Sequence, residues 1–257
     1  MNTSRRDFIR ILGISGLTAQ SLPTILSTKN SIERSQESNK SKGLTFLFQG
    51  DSITDGNRTR DNDWNHIMGH GYAYIIASRL WYDYPEKDLM FYNRGISGNR
   101  LRDLDNRWQN DTLNLKPDVI SILIGVNDVL AIIKNNNPDS MDKFEEIYKG
   151  ILDKTKDALP NTLVVLCEPF ILPLGWVNEK TEIWQIEIQK RRQIVRKLAE
   201  VYQAVFVELQ ETFTKACQKA PAHYWIWDGV HPMPAGHKLI ARLWISEIRK
   251  ILTFIKD

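Results

Sequence analysis

The stretch Leu44-Thr45-Phe46-Leu47-Phe48-Gln49-Gly50-Asp51-Ser52-Ile53-Thr54-Asp55-Gly56 opens on an apolar run and closes on a turn. Leu44, Phe46, Leu47 and Phe48 read as a buried strand, and the polar residues from Gln49 to Gly56 as the bend that follows it. Ser52 therefore stands just past the carboxyl end of a strand, where an open parallel sheet gathers its ligands. Gly50 and Gly56 give the chain room to turn tightly around it.

Similar short apolar runs recur at residues 89–92, 119–124, 163–166 and 205–207, each bounded by polar or turn residues. The runs at 119–124 and 163–166 are almost continuously apolar, as expected of strands covered on both faces by helices. Between the runs lie stretches with helical spacing at 72–81, 144–158 and 183–202. In a last one, Leu239, Ile240, Leu243, Trp244, Ile248 and Ile251 share a face. The alternation predicts an α/β fold, a three-layer α/β/α sandwich around a five-stranded parallel sheet.

The 257 residues, 42% of them hydrophobic, suffice for one sizeable core, and a single catalytic domain is expected over residues 44–257. Residues 1–27 carry Arg5-Arg6-Asp7-Phe8 before an apolar stretch and resemble a twin-arginine export signal, while residues 28–43 are polar and read as a flexible linker. The expected location is thus periplasmic or extracellular, with no membrane association beyond a signal tether. Of the formal net charge of +3, the leader contributes +2, so the domain is close to neutral and nucleic acid is not an expected partner. The basic run Lys190, Arg191, Arg192, Arg196 and Lys197 is read as a solvated helix face. Cys167 is read as a small core residue, although an exported chain permits a disulfide to Cys217.

Far from the serine, Trp227-Asp228-Gly229-Val230-His231-Pro232 sets a carboxylate and an imidazole three residues apart. Acyl transfer needs a nucleophile, a base of near-neutral pKa, a group to orient that base, and donors for an oxyanion. Ser52, His231 and Asp228 are the candidates for the first three roles. Gly95-Ile96-Ser97-Gly98-Asn99 and Gly125-Val126-Asn127-Asp128 offer backbone N–H groups and a side-chain amide for the last.

Four ordered blocks, Gly50-Asp51-Ser52-Ile53-Thr54, Asn93 to Asn99, Gly125 to Asp128 and Asp228 to Pro232, together resemble the SGNH hydrolase branch of the GDSL esterase and lipase family, whose fold is flavodoxin-like. The resemblance implies a triad of Ser52, Asp228 and His231. It implies an oxyanion hole from the Ser52 and Gly98 N–H groups and the Asn127 amide, with no metal or other cofactor. Asn99 to Leu104 with Arg107-Trp108, Cys167-Glu168-Pro169-Phe170 and Trp225-Ile226-Trp227-Asp228 resemble the bacterial acetylxylan esterases within that family. In that group the tryptophan before the aspartate, here Trp227, shapes a small acetyl pocket; a core aromatic is the other reading of it.

Asp51, Trp64 and Trp227 are the expected substrate contacts, Trp64 through its place in the polar insertion at 57–70, where it could stack on a sugar ring. His66 and His70 in the same insertion have the i, i+4 interval of some metal sites, but Gly69 and Gly71 count against a helix there. His223 and His237 are assigned structural roles. The expected function is an exported serine esterase that deacetylates carbohydrate, acetylxylan or its oligosaccharides. The alternatives are a lysophospholipase or thioesterase acting on longer acyl chains, and a carbohydrate-binding protein without turnover. Assembly of related enzymes adds a homo-oligomer to the expectations.

Overall fold

The computed structural model describes residues 43–61, 63–135 and 141–256. The expected signal segment and nearly all of the expected linker lie outside the described residues. The chain alternates strands and helices: β1 (Thr45–Gly50), the short α1 (Ser52–Asp55), α2 (Tyr72–Asp83), β2 (Met90–Asn93), α3 (Leu101–Asp111), β3 (Val119–Leu123), α4 (Val126–Asn135) and α5 (Met141–Ala158). It continues through β4 (Leu163–Cys167), α6 (Thr181–Val201), β5 (Val205–Val207), α7 (Leu209–Ala216), α8 (Ala222–Trp225) and α9 (Pro234–Ile248).

All strand pairs are parallel, in the order β2-β1-β3-β4-β5. Alternate side chains feed two separate cores, as the period-2 geometry of a strand requires. Phe46, Phe48, Val119 and Leu123 pack with α2 and α9 on one face, whereas Leu47, Ile120 and Ile122 pack with α3, α5 and α6 on the other. The result is the expected three-layer sandwich. Because β1 is flanked by β2 on one side and β3 on the other, the order reverses at β1, and a crevice opens at the carboxyl ends of these strands.

The strand that leads to the serine runs two residues past its apolar stretch. Gln49 is fully buried, and its amide is held at both ends: Nε2 donates to Asp111 O and Thr112 Oγ1, and Oε1 accepts from Arg107 Nη1 at 2.8 Å. A polar side chain is tolerated at a core position when its partners are supplied. Trp244 in α9 follows the same rule, packing against Phe46 and Phe48 while donating to Ser121 Oγ at 3.0 Å. Cys167 and Cys217 are free thiols, the first buried in the sheet as expected.

The solvated-face reading of the basic run on α6 holds for Arg196 and Lys197, which are exposed, and is corrected for Arg191 and Arg192. Arg191 is 2% exposed and pairs with Glu187, while Arg192 Nε donates at 2.8 Å to Glu168, a carboxylate that is 1% exposed. The other oxygen of Glu168 accepts the Gln210 N–H in the first turn of α7. This carboxylate therefore joins α6 to α7, which a solvated face would not do. Replacing Arg192 with methionine strands one oxygen of the buried carboxylate and is expected to lower stability by about 2–3 kcal/mol in urea unfolding. A loss within about 0.5 kcal/mol, the scale of ordinary surface changes, contradicts the structural role.

Candidate active site

The bend after β1 is a single helical turn whose ends are both closed. Asp51 caps it by accepting the Ile53 N–H at 3.0 Å, and Gly56 ends it with φ +52°, donating its N–H to Ser52 O. A side chain at Gly56 would meet the Gly71 nitrogen at 2.7 Å, so both backbone angle and space demand glycine here. Asp55 and Asn93 then tie this turn to the loop after β2. Asp55 accepts from the N–H and Oγ of Ser97 and from Arg60, and Asn93 donates to Thr54 O, Asp55 O and Met68 O while accepting the Gly95 N–H. Both side chains are buried, and their bonds fix the 93–98 loop beside the serine.

The imidazole arrives from the other end of the chain. An isolated bridge between Ile226 and Pro232 closes the loop that carries Asp228 and His231. Asp228 Oδ1 accepts the N–H groups of Val230 and His231 at 2.9 and 2.7 Å, and Oδ2 lies 2.6 Å from His231 Nδ1. On its far side His231 Nε2 is 2.8 Å from Ser52 Oγ. Burial pushes the Asp228 carboxyl up, but hydrogen bonds from the His231 ring and from the two backbone N–H groups hold it below its ordinary 3.8. An ionised carboxylate only accepts, so Nδ1 carries the ring proton and Nε2 is free to accept from the serine hydroxyl. The same bond from Asp228 raises the His231 pKa above 6.5, against the lowering effect of burial.

The oxyanion candidates come from the loops after β2 and β3. Gly98 is exposed, with φ +83° and nothing within 4 Å of the place a side chain would take, so the chain leaves open space there. Asn127 stands in the first turn of α4, where one N–H of its amide donates to Asn99 O at 3.1 Å; a primary amide keeps a second hydrogen for a ligand. The next residue, Asp128, accepts the Leu101 N–H, and burial raises its pKa to about 6. Arg107 braces the same region from α3, donating to Asn99 Oδ1, Gln49 Oε1 and Asp111.

The expected substrate contacts fall in three different settings. Trp227 is 62% exposed, which sets aside the core reading, and its ring lies 6.2 Å from the His231 ring at 28° between planes. Trp176, which the sequence did not single out, lies similarly at 6.0 Å and 26°. The stacking of Trp176 is made through space by a turn 55 positions from the histidine in the sequence, and no motif marks it. Trp64 lines a separate cleft with Arg58, Arg60, Tyr92 and Arg94, and no triad residue forms its walls.

The expected contact at Asp51 is corrected: at 1% exposure its carboxyl is committed to capping α1, out of reach of a glycan, and burial lifts its pKa to about 7. His66 lies in turns rather than a helix and pairs with Asp63. Among the described residues no group of three His, Cys, Asp or Glu side chains could hold a metal. His237 accepts the Tyr72 N–H through Nδ1, a role that suits a neutral ring, and burial drives its pKa down to about 4.

Residues 48–239 match the model of the GDSL-like Lipase/Acylhydrolase family. The chain is 34% identical over 213 residues to an acetylxylan esterase of Geobacillus stearothermophilus, covering 80% of this chain and 94% of that one. Among solved structures, a putative GDSL-like lipase from Parabacteroides merdae is 39% identical with a TM-score of 0.77, over 80% of this chain and 96% of its own. The Geobacillus acetylxylan esterase Axe2 superimposes with a TM-score of 0.72 at 32% identity, over 81% of this chain and 95% of its own.

The electrostatics of the pair make a direct prediction. In Asp228→Asn the neutral amide no longer stabilises the imidazolium, so the His231 pKa, above 6.5 in the wild type, is expected to fall. Titration of the His231 ring protons by NMR reads this. An unchanged value means that the short bond to Asp228 is not what sets the base.

Proposed function

The chain belongs to the GDSL-like lipase/acylhydrolase family and is a carboxylic ester hydrolase, and from that premise we propose that it removes acetyl groups from xylan-type carbohydrate through an acetyl-enzyme on Ser52. The chemistry rests on one observation, the unbroken hydrogen-bonded chain from Ser52 Oγ through His231 to Asp228. The substrate class rests on the likeness to an acetylxylan esterase. Structures of that relative include variants described as catalytic mutants, in which a serine or an aspartate is replaced by alanine. Others are described as an acetyl-xylooligosaccharide esterase, which favours oligosaccharides.

Ser52 Oγ attacks the acetyl carbonyl as its proton passes to His231 Nε2, and Asp228 stabilises the imidazolium that forms. Negative charge moves to the carbonyl oxygen, where the N–H groups of Ser52 and Gly98 and the free amide hydrogen of Asn127 receive it. The tetrahedral intermediate collapses, the bond to the sugar oxygen breaks, and His231 returns its proton to that oxygen. A water then enters and attacks the acetyl carbonyl as its proton passes to His231, the bond from the acyl carbon to Ser52 Oγ breaks, and His231 returns that proton to Oγ, releasing acetate and restoring Ser52.

Two features favour a short acyl group. Trp176 and Trp227 lie with their ring centroids 6.0 and 6.2 Å from that of His231, and two bulky rings beside the base leave less room for a long acyl chain. An apolar groove of about 770 Å³ does exist, lined by Ile186 and Ile188 of α6 and Thr214 of α7, but neither Ser52 nor His231 faces it. A long chain esterified at Ser52 has no evident path into that groove.

Ser52→Ala and His231→Ala are each expected to fold normally and to lose acetate release from acetylated xylo-oligosaccharides by about 10³-fold or more. Across nitrophenyl esters from acetate to octanoate, wild-type kcat/KM is expected to fall steeply beyond acetate. Activity that survives in either variant removes the serine mechanism, and a preference for octanoate moves the substrate to long acyl chains.

A further inference from the structure

The second cleft, where Trp64 lies, is built for charge as well as for a ring. It encloses about 200 Å³, lined by Arg58, Thr59, Arg60, Trp64, Tyr92 and Arg94, with Asp61 the one carboxylate on its walls. Trp64 is 61% exposed. Two buried polar atoms in these walls have no hydrogen-bond partner, Arg94 Nε and Thr59 Oγ1. The Arg94 guanidinium lies 5.8 Å from the Tyr92 ring centroid, a contact that gives Nε no acceptor. Arg60 is partly neutralised by Asp55, and Arg58 spends its Nε on Gly95 O. Burial, and after it the neighbouring cation Arg60, pushes the Arg58 pKa down to about 10 despite Asp55, with smaller contributions from Arg94 and Arg107.

A buried donor without a partner costs free energy until an acceptor arrives, and a planar guanidinium fits a carboxylate by shape as well as charge. An exposed indole beside it offers a flat face to a sugar ring. We infer that this cleft is a subsite for a carboxylate-bearing sugar, a hexuronic acid substituent of the acetylated glycan, with Arg94 and Thr59 meeting the carboxylate and Trp64 stacking on the ring. The inference rests on the carbohydrate esterase reading and narrows its substrate class. The cleft is coupled to the catalytic turn, since Arg60 bonds Asp55 in α1 and Arg58 bonds the loop that carries Gly98. A glycan whose uronic acid is seated there is held against the framework of the serine.

The test compares acetylated xylo-oligosaccharides with and without a uronic acid side group, using nitrophenyl acetate as a control for the chemistry. The wild type is expected to show a higher kcat/KM on the acid-bearing substrate, a preference that shrinks as sodium chloride is added. Arg94→Gln is expected to cost about tenfold on that substrate, mostly in KM, as loss of a charged hydrogen bond would. Neutral oligosaccharide and nitrophenyl acetate are expected to be unaffected. Trp64→Ala, at an exposed position that folding does not need, is expected to lower the same preference.

Equal turnover of both oligosaccharides by the wild type, or an equal loss on both in the variants, overturns the subsite while leaving the deacetylase intact. Turnover of nitrophenyl acetate with no acetate from either sugar overturns the carbohydrate reading itself, and the subsite with it.

Discussion

Parallel pairing of β1 with β2 on one side and β3 on the other is the constraint on which the rest of the site depends, because it sends three loops to one edge of the sheet. A right-handed crossover after each strand leaves the helices on the faces and the loop ends at the crevice. Ser52, Gly98 and Asn127 follow β1, β2 and β3, so each of the three strands leads into a loop at that edge that carries one candidate group. His231 and Asp228 come from beyond β5, brought back by the loop that precedes α9.

Delivery alone does not fix positions to the tolerance that chemistry needs. Here that is done by buried polar side chains with several bonds each. Asp55 and Asn93 join the serine turn to the Gly98 loop, Arg107 joins that loop to the end of β1, and Asp228 receives two backbone N–H groups before it reaches the ring of His231. Such groups are costly to bury without partners and rigid once supplied with them. The site is therefore set largely before substrate arrives.

Much of this was legible in the sequence for a simple reason. Strands covered on both faces are written as apolar runs, and the observed strands begin within one residue of the expected ones. Catalytic turns were legible because glycine, asparagine and serine cluster where backbone geometry demands them, as at Gly56 and Gly98. What stayed hidden depends on partners remote in the chain. The basic run on α6 has helical spacing, but spacing cannot tell that Arg192 meets a buried carboxylate on the loop after β4. Asp51 looked available beside the serine, yet its direction is fixed by the turn it caps. Trp176 stacks near His231 through tertiary contact alone. The short α7 and α8 and the helix after β3 carry too few turns for a periodic signal to stand out.

The central claim is that ester hydrolysis passes through a covalent intermediate on one serine. Acid quenching of the enzyme during turnover of nitrophenyl acetate, followed by peptide mapping in a mass spectrometer, tests it most directly. The account predicts the added mass of one acetyl group on the peptide that contains Ser52, and no such mass on the same peptide of Ser52→Ala. Acetyl found on another residue, or active turnover with no acylated peptide at any quench time, contradicts it.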